Sequence, residues 1–252
     1  MKNILIVILL SFFTNQIKAD EINLGADLWC PYTCEPGSSM PGFMIEIAQE
    51  VFKKHGHTIK YQNLSWARAL ADARIGRIDG AVGALRKEVV GFMIPQIANG
   101  NLLNYFYTLS TDPWFYKDEK SLYNKTFAVI NGYSYGAVVD KLIENKHPSL
   151  KSMAGDDVLT RMIQMTSTKR IDGFIEDPAV LSFSLKKRKL KSSDFKIASP
   201  NMATDPDLFI AFSPKNPKSK EYARLLDEGM NEFRKSGKLK EILNKYSVKD
   251  WK

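Results

Sequence analysis

The sequence predicts an α/β protein of two lobes, each a mixed sheet flanked by helices. Three observations carry that expectation. Strand, helix and strand follow one another near the start of the chain. A four-residue motif recurs in the middle with the same kind of element on either side. Two apolar strands without helical spacing bracket the recurring unit.

The first strand is expected at Ile22 to Ala26. It runs into Trp-Cys-Pro-Tyr and then a Gly- and Pro-rich stretch from Pro36 to Gly42. Met44, Ile47, Ala48, Val51 and Phe52 recur at helical spacing, Gly56 stops that helix, and Thr58 to Tyr61 is the next strand. Trp66 to Ile75 is helical and leads into Arg77-Ile78-Asp79-Gly80 and the apolar Ala81-Val82. Val158 to Met165 is helical and leads into Arg170-Ile171-Asp172-Gly173 and then Phe174-Ile175. A helix, an Arg-Ile-Asp-Gly turn and a strand therefore occur twice, as expected of two lobes on one plan. Turn chemistry accounts for both aspartates.

Leu102 to Leu109 and Leu208 to Phe212 are the two bracketing strands. Between them lie a strand (Phe127 to Ile130), a helix (Ala137 to Glu144) and the second motif. The chain closes on an amphipathic helix with Tyr222, Leu225, Leu226, Met230 and Phe233 on one face. Gly237 separates it from a shorter helix carrying Leu239, Ile242, Leu243 and Tyr246. The simplest assembly puts residues 20–108 and 207–252 in lobe one and inserts residues 109–206 as lobe two, the bracketing strands serving as hinges.

Residues 1–19 stand apart. Lys2, an apolar run from Ile4 to Phe13, and Ala19 after a short polar segment follow the order of a cleavable secretory signal, with an uncleaved anchor as the alternative. The run is shorter than the ~20 residues a membrane span needs, and no later segment is apolar enough to span. The expected location is the periplasm. The formal net charge is +8, of which the leader lysines carry two, leaving about +6 spread over the remainder. One basic run, Lys186 to Lys191, has the character of a solvated helix end. The charge allows a mild attraction to anionic ligands, and an exported chain is a poor partner for nucleic acid. Cys30 and Cys34 form a close pair, which in an oxidising compartment favours a disulfide over two free thiols; a metal site would need further ligands. His55 and His57 fall in a helix-to-strand turn and are expected at the surface. No Ser-His-Asp set, phosphate loop or metal cluster is present, and no cofactor is expected.

Taken in order, Pro31-Tyr32, Gly42-Phe43-Met44-Ile45-Glu46-Ile47-Ala48, Trp66 and Arg68 with Gly76 and Asp79, Ala128 to Gly132, Arg170 to Asp177 and the tail residues Phe233, Gly237, Leu239, Ile242 and Tyr246 resemble the family 3 extracellular solute-binding proteins, the amino-acid type of periplasmic binding protein. The match covers nearly the whole chain after the leader. It implies a two-lobed periplasmic-binding-protein type II fold and closure on a small-molecule solute. It also implies delivery to the membrane permease of an ABC transporter, by a chain expected to be a monomer.

The resemblance also suggests site residues. Tyr32 follows the first strand, where the family places an aromatic ring beside the ligand; Trp29 and Trp66 are weaker candidates, Trp66 being equally suited to pack the core. Ser134 and Tyr135 lie in a strand-to-helix turn that the family uses for the ligand carboxylate, a good place for an anion because exposed amides gather there; capping by Ser134 is the structural alternative. Asp177 stands where an aspartate pairs with the ligand amino group, and it is equally placed to cap a helix starting at Pro178. The family's Thr-x-x-Arg is missing, Gly91 occupying the arginine's place. Arg86 is the remaining candidate for an anion, out of register. Two other functions share this plan: a ligand-sensing module, which would be joined to a membrane span, and a cyclohexadienyl-dehydratase-like enzyme, for which Glu88 or Glu176 would have to supply an acid with a tuned pKa.

Overall fold

Residues 19–155 and 157–252 are described by the computed structural model; the leader read from residues 1–19 lies outside them except for Ala19. Along the chain come β1 (Glu21–Ala26), α1 (Phe43–Lys54), β2 (Thr58–Asn63), α2 (Trp66–Ile75), β3 (Gly80–Leu85), β4 (Gly100–Asn101) and β5 (Tyr105–Leu109). Next are β6 (Phe127–Ile130), α3 (Ala137–Glu144), β7 (Leu150–Met153), α4 (Val158–Ser167), β8 (Gly173–Glu176), α5 (Pro178–Lys187) and β9 (Phe195–Ile197). β10 (Asp207–Phe212), α6 (Ser219–Ser236) and α7 (Lys238–Lys245) complete the chain.

The strands form two five-stranded sheets, ordered β2-β1-β3-β10-β4 and β7-β6-β8-β5-β9. They share one plan. In each, the first three strands run parallel, and the fourth is antiparallel to both its neighbours. β10 thus holds in the first sheet the place that β5 holds in the second.

The repeated Arg-Ile-Asp-Gly turn has the same job in both. The Asp79 carboxylate accepts the Asn23 N–H at 2.8 Å, and the Asp79 N–H donates to the Asn23 carbonyl at 2.8 Å. Asp172 does the same with Thr126, at 2.8 Å each way. Each aspartate locks the turn to the start of the neighbouring parallel strand, so the motif is structural.

A second correspondence is less visible in the sequence. Gly42 precedes α1 with φ 107°, and Gly136 precedes α3 with φ 108°. A Cβ at Gly42 would lie 2.3 Å from the Tyr32 carbonyl oxygen, and one at Gly136 would lie 1.8 Å from that of Met202. Only glycine suits that backbone and that approach.

The apolar spacing of α1 and α6 produces one core, in which Phe52 meets Phe212 and Tyr222 with ring centroids 6.0 and 5.6 Å away. Full burial of a side chain of this size is worth roughly 1.5–3 kcal/mol. The second sheet is covered on both faces. Phe106, Phe127 and Ile175 pack on one side, Tyr107, Ala128 and Phe174 on the other, which explains its unalternating apolar strands.

Two details depart from the sequence reading. β5 pairs only with β8 and β9, so the change of lobe comes before Tyr105 rather than after residue 108. The chain crosses at Leu102 to Asn104 and returns at Met202 to Pro206. Those crossings are bonded to each other: Leu102 N–H to the Pro206 carbonyl at 2.7 Å, and Met202 N–H to the Asn104 carbonyl at 2.8 Å. His57 is buried, because its imidazole accepts the Asp20 N–H at 3.1 Å and packs against Phe52 and Tyr222; His55 is half-buried. Cys30 and Cys34 are joined by a disulfide with their Cα atoms 4.8 Å apart.

Candidate functional site

The carboxyl ends of the strands in both sheets face one another across the crossings, where ligands collect in open α/β sheets. They enclose a cavity of about 40 Å³. From the first lobe come Asp27, just past β1, Trp29, Trp66 at the start of α2, and Glu88 past β3. From the second come Tyr133, Ser134 and Tyr135, past β6, and Glu176, the last residue of β8.

Three of these residues are carboxylic acids, and none of the lining side chains is a lysine or arginine. Burial pushes Glu176 up to about 8, helped by the neighbouring charge of Asp177 and opposed by the Asp177 N–H it accepts at 2.8 Å. Burial likewise raises Asp27 to about 6, although the Tyr133 hydroxyl donates to it from the other lobe. Glu88 is raised by burial too; it accepts the Leu85 N–H at 2.8 Å and the Trp66 Nε1–H at 3.4 Å. Burial thus favours the uncharged form of each acid, and Lys87 opposes it at Glu88.

Aromatic rings make up the remaining walls. Trp29 stacks on Tyr32 with centroids 4.0 Å apart, meets Tyr133 edge-on at 6.4 Å, and donates its Nε1–H to Glu176 at 3.4 Å across the cleft. Acids between aromatic faces suit an organic cation, which gains from both charge and ring quadrupole.

The residues expected from the sequence are placed as follows. Trp66 and Ser134 line the cavity, as does Tyr135. Tyr32 is buried behind Trp29, held by α1, whose Met44 N–H donates to its carbonyl at 3.2 Å. Its hydroxyl proton is shared between the Asn101 carbonyl at 2.7 Å and Asp177 at 3.0 Å. Asp177 is buried as the cap of α5, accepting the Ala179 and Val180 N–H groups at 2.7 and 3.2 Å, and it also accepts the Leu103 N–H at 3.0 Å. Its capping role is thus occupied in full, and the neighbouring Glu176 is the acid that reaches the cavity. Arg86 is exposed and lies 4.7 Å over the Phe209 ring, outside the cavity lining.

Asp27 and Trp29 carry more of the site than the sequence reading gave them. The signal was there: Asp27 is the first residue past β1, at the strand end where ligands gather. From the sequence, Glu88 and Glu176 stand out only as acids for an enzyme. Among the described residues no group of three or more His, Cys, Asp or Glu side chains is arranged to hold a metal ion.

The model of the bacterial extracellular solute-binding proteins, family 3, matches residues 22–249. The chain belongs to that family. Among relatives of this family 3 solute-binding protein is the one named Probable amino-acid-binding protein YxeM, of Bacillus subtilis (strain 168), 23% identical over an alignment of 229 residues, which covers 87% of this chain and 81% of that one. An ancestral arginine-binding protein bound to arginine superposes with a TM-score of 0.72 at 16% identity, over 91% of this chain and 99% of that chain. A structure from work on glutathione import through GshT and the cystine ABC importer TcyBC of Streptococcus mutans gives 0.73 at 16% identity, over 90% and 95%. At these identities the likeness of this family 3 protein to the solved structures is one of fold, the two-lobed type with a mixed sheet in each lobe.

Proposed function

We propose that this protein captures a small solute carrying a cationic nitrogen, an amino acid or a related compound, between its lobes and delivers it to the membrane permease of an ABC transporter. The observation that carries this reading is the trio Asp27, Glu88 and Glu176 in an aromatic cavity without a basic side chain. The contrast with the rest of the molecule supports it: a chain with a formal charge of +8 keeps its cleft acidic. The names of the relatives, amino-acid-binding and arginine-binding proteins among them, agree with this class of solute. In this reading residues 1–19 are the cleaved leader, the protein works as a monomer in the periplasm, and the solute leaves unchanged.

A cavity of this volume holds about three water molecules, so loading requires the lobes to part. The Tyr133–Asp27 and Trp29–Glu176 hydrogen bonds break as they do. The solute then replaces bonds between lobes with bonds to itself, which is how a ligand selects a closed state.

The raised pKa of Glu176 also suits a proton donor, which keeps a dehydratase of cyclohexadienyl acids in view as a second reading. Its substrates are carboxylates, however, and the cavity offers them no cation, so binding is the stronger reading.

Thermal denaturation with a panel of organic cations, neutral sugars and organic anions tests the proposal. A cation at 100 times its Kd should stabilise by about 2.7 kcal/mol, and the shift should vanish in Asp27→Asn and Glu176→Gln. Stabilisation by anions or sugars alone would overturn it, and turnover of a cyclohexadienyl acid would move the protein to the enzyme reading.

A further inference from the structure

Where the lobe-two turn would receive a ligand carboxylate, the protein already holds one of its own. Asp140, in the first turn of α3, accepts the Tyr135 N–H at 2.7 Å on one oxygen and the Ser134 hydroxyl at 2.7 Å on the other. The Ala137 N–H at the start of the same helix is directed at the Thr204 hydroxyl at 3.4 Å. Lys87, from the opposite lobe, lies 2.5 Å from Asp140. It therefore closes the lobes on the protein's own carboxylate. Arg86 is turned away onto Phe209. A carboxylate entering the cavity would have to displace Asp140 from two donors and a counter-ion, and would then lie beside Asp27 and Glu88. Above about pH 6, where Asp27 is ionised, a like charge in a site of low dielectric is costly.

We propose, building on the cation-binding reading above, that the cleft selects organic cations that carry no carboxylate, amines and guanidines in preference to the α-amino acids they correspond to. Asp140 is the residue that enforces the choice, by filling the carboxylate seat from within. The cationic end of the ligand lies between Trp29, Trp66 and Tyr133. There its N–H groups meet the acids, Glu176 offering Oε2 once the incoming cation displaces its proton, since the Trp29 Nε1–H and the Asp177 N–H both fall on Oε1.

Calorimetric titration of the purified protein with matched pairs tests this: agmatine against arginine, cadaverine against lysine, histamine against histidine. For any pair that binds, the member without the carboxylate should bind at least ten-fold tighter. An amino acid that binds as tightly as its amine, or tighter, overturns the inference while leaving the cation reading in place; no binding by either member of every pair overturns both. In Asp140→Ala the Tyr135 N–H, the Ser134 hydroxyl and Lys87 are freed, and the amino acid should gain about ten-fold on its amine. Unchanged discrimination in a folded Asp140→Ala would remove Asp140 from the role. The wild-type comparison decides the ligand class even if that variant fails to fold.

Discussion

The Tyr32 hydroxyl lies 3.0 Å from the Asp177 carboxylate, a contact between residues 145 apart in the chain and from opposite lobes. Asp177 also receives N–H groups from α5 and from Leu103 in the first crossing. One buried carboxylate thus ties lobe one, a crossing segment and the start of a lobe-two helix together. Burial raises its pKa to about 6 even so, which makes each donor matter. Hydrogen bonds to charged groups are worth about 1.5–3 kcal/mol. Tyr32→Phe keeps the stack on Trp29 and removes only the donor. We expect it to lower the stability of the protein by about 1–2 kcal/mol, read as a lower urea midpoint. An unchanged midpoint would show that the Tyr32 hydroxyl adds nothing to the hold on Asp177.

The acids of the cleft set a dependence on pH. Glu176 holds its proton up to about pH 8 in the folded protein, and Asp27 and Asp177 hold theirs up to about 6. The same groups in the unfolded chain release protons near 4. Between pH 5 and 8 the folded state therefore binds more protons than the unfolded state, and stability falls as pH rises. Asp20, Asp72 and Asp250, held below the usual carboxylate range, act below this window. Chemical denaturation at fixed ionic strength should show a loss on the order of a few kcal/mol from pH 5 to pH 8. Glu176→Gln should reduce that slope. A profile that is flat or rising, or one that the substitution leaves untouched, contradicts the placement of Glu176.

Glycine before α3 is demanded twice over, by φ 108° and by the Met202 carbonyl 1.8 Å from any Cβ. Gly136→Ala must move either α3 or the return crossing, at a cost of about 3 kcal/mol or more. Gly56 also has positive φ, 77°, but nothing lies within 4 Å of its Cβ position, so Gly56→Ala should cost only about 1 kcal/mol. Paired denaturation curves check the difference, and equal costs would mean that the contact with Met202 is relaxed without penalty.

The sequence by itself determined the elements whose apolar residues follow a period. The faces of α1 and α6, the exact span of Trp66 to Ile75, and the two Arg-Ile-Asp-Gly turns were all legible, because burial along one segment leaves its record in that segment. β4, β7 and β9 were not. They are short or largely exposed edge strands, so their existence depends on a neighbour to pair with rather than on a pattern of their own. The burial of His57 was hidden for a similar reason, since it is Asp20, Phe52 and Tyr222 that enclose it.

The site was decided almost entirely by tertiary structure. Asp27 and Glu176 are 149 residues apart in the chain, and each is unremarkable in its own segment. They become neighbours in one cavity because Asp27 ends a strand of one sheet, Glu176 ends a strand of the other, and the crossings at Leu102 to Asn104 and Met202 to Pro206 bring those ends face to face. Asp177 changed meaning in the same way. Its sequence position suits a ligand, and in the folded protein it is taken up by Tyr32 and Leu103 as well as by its own helix. A pattern along the chain reports which side of an element is buried; the sign of the charge in a cleft depends on which strand ends meet there.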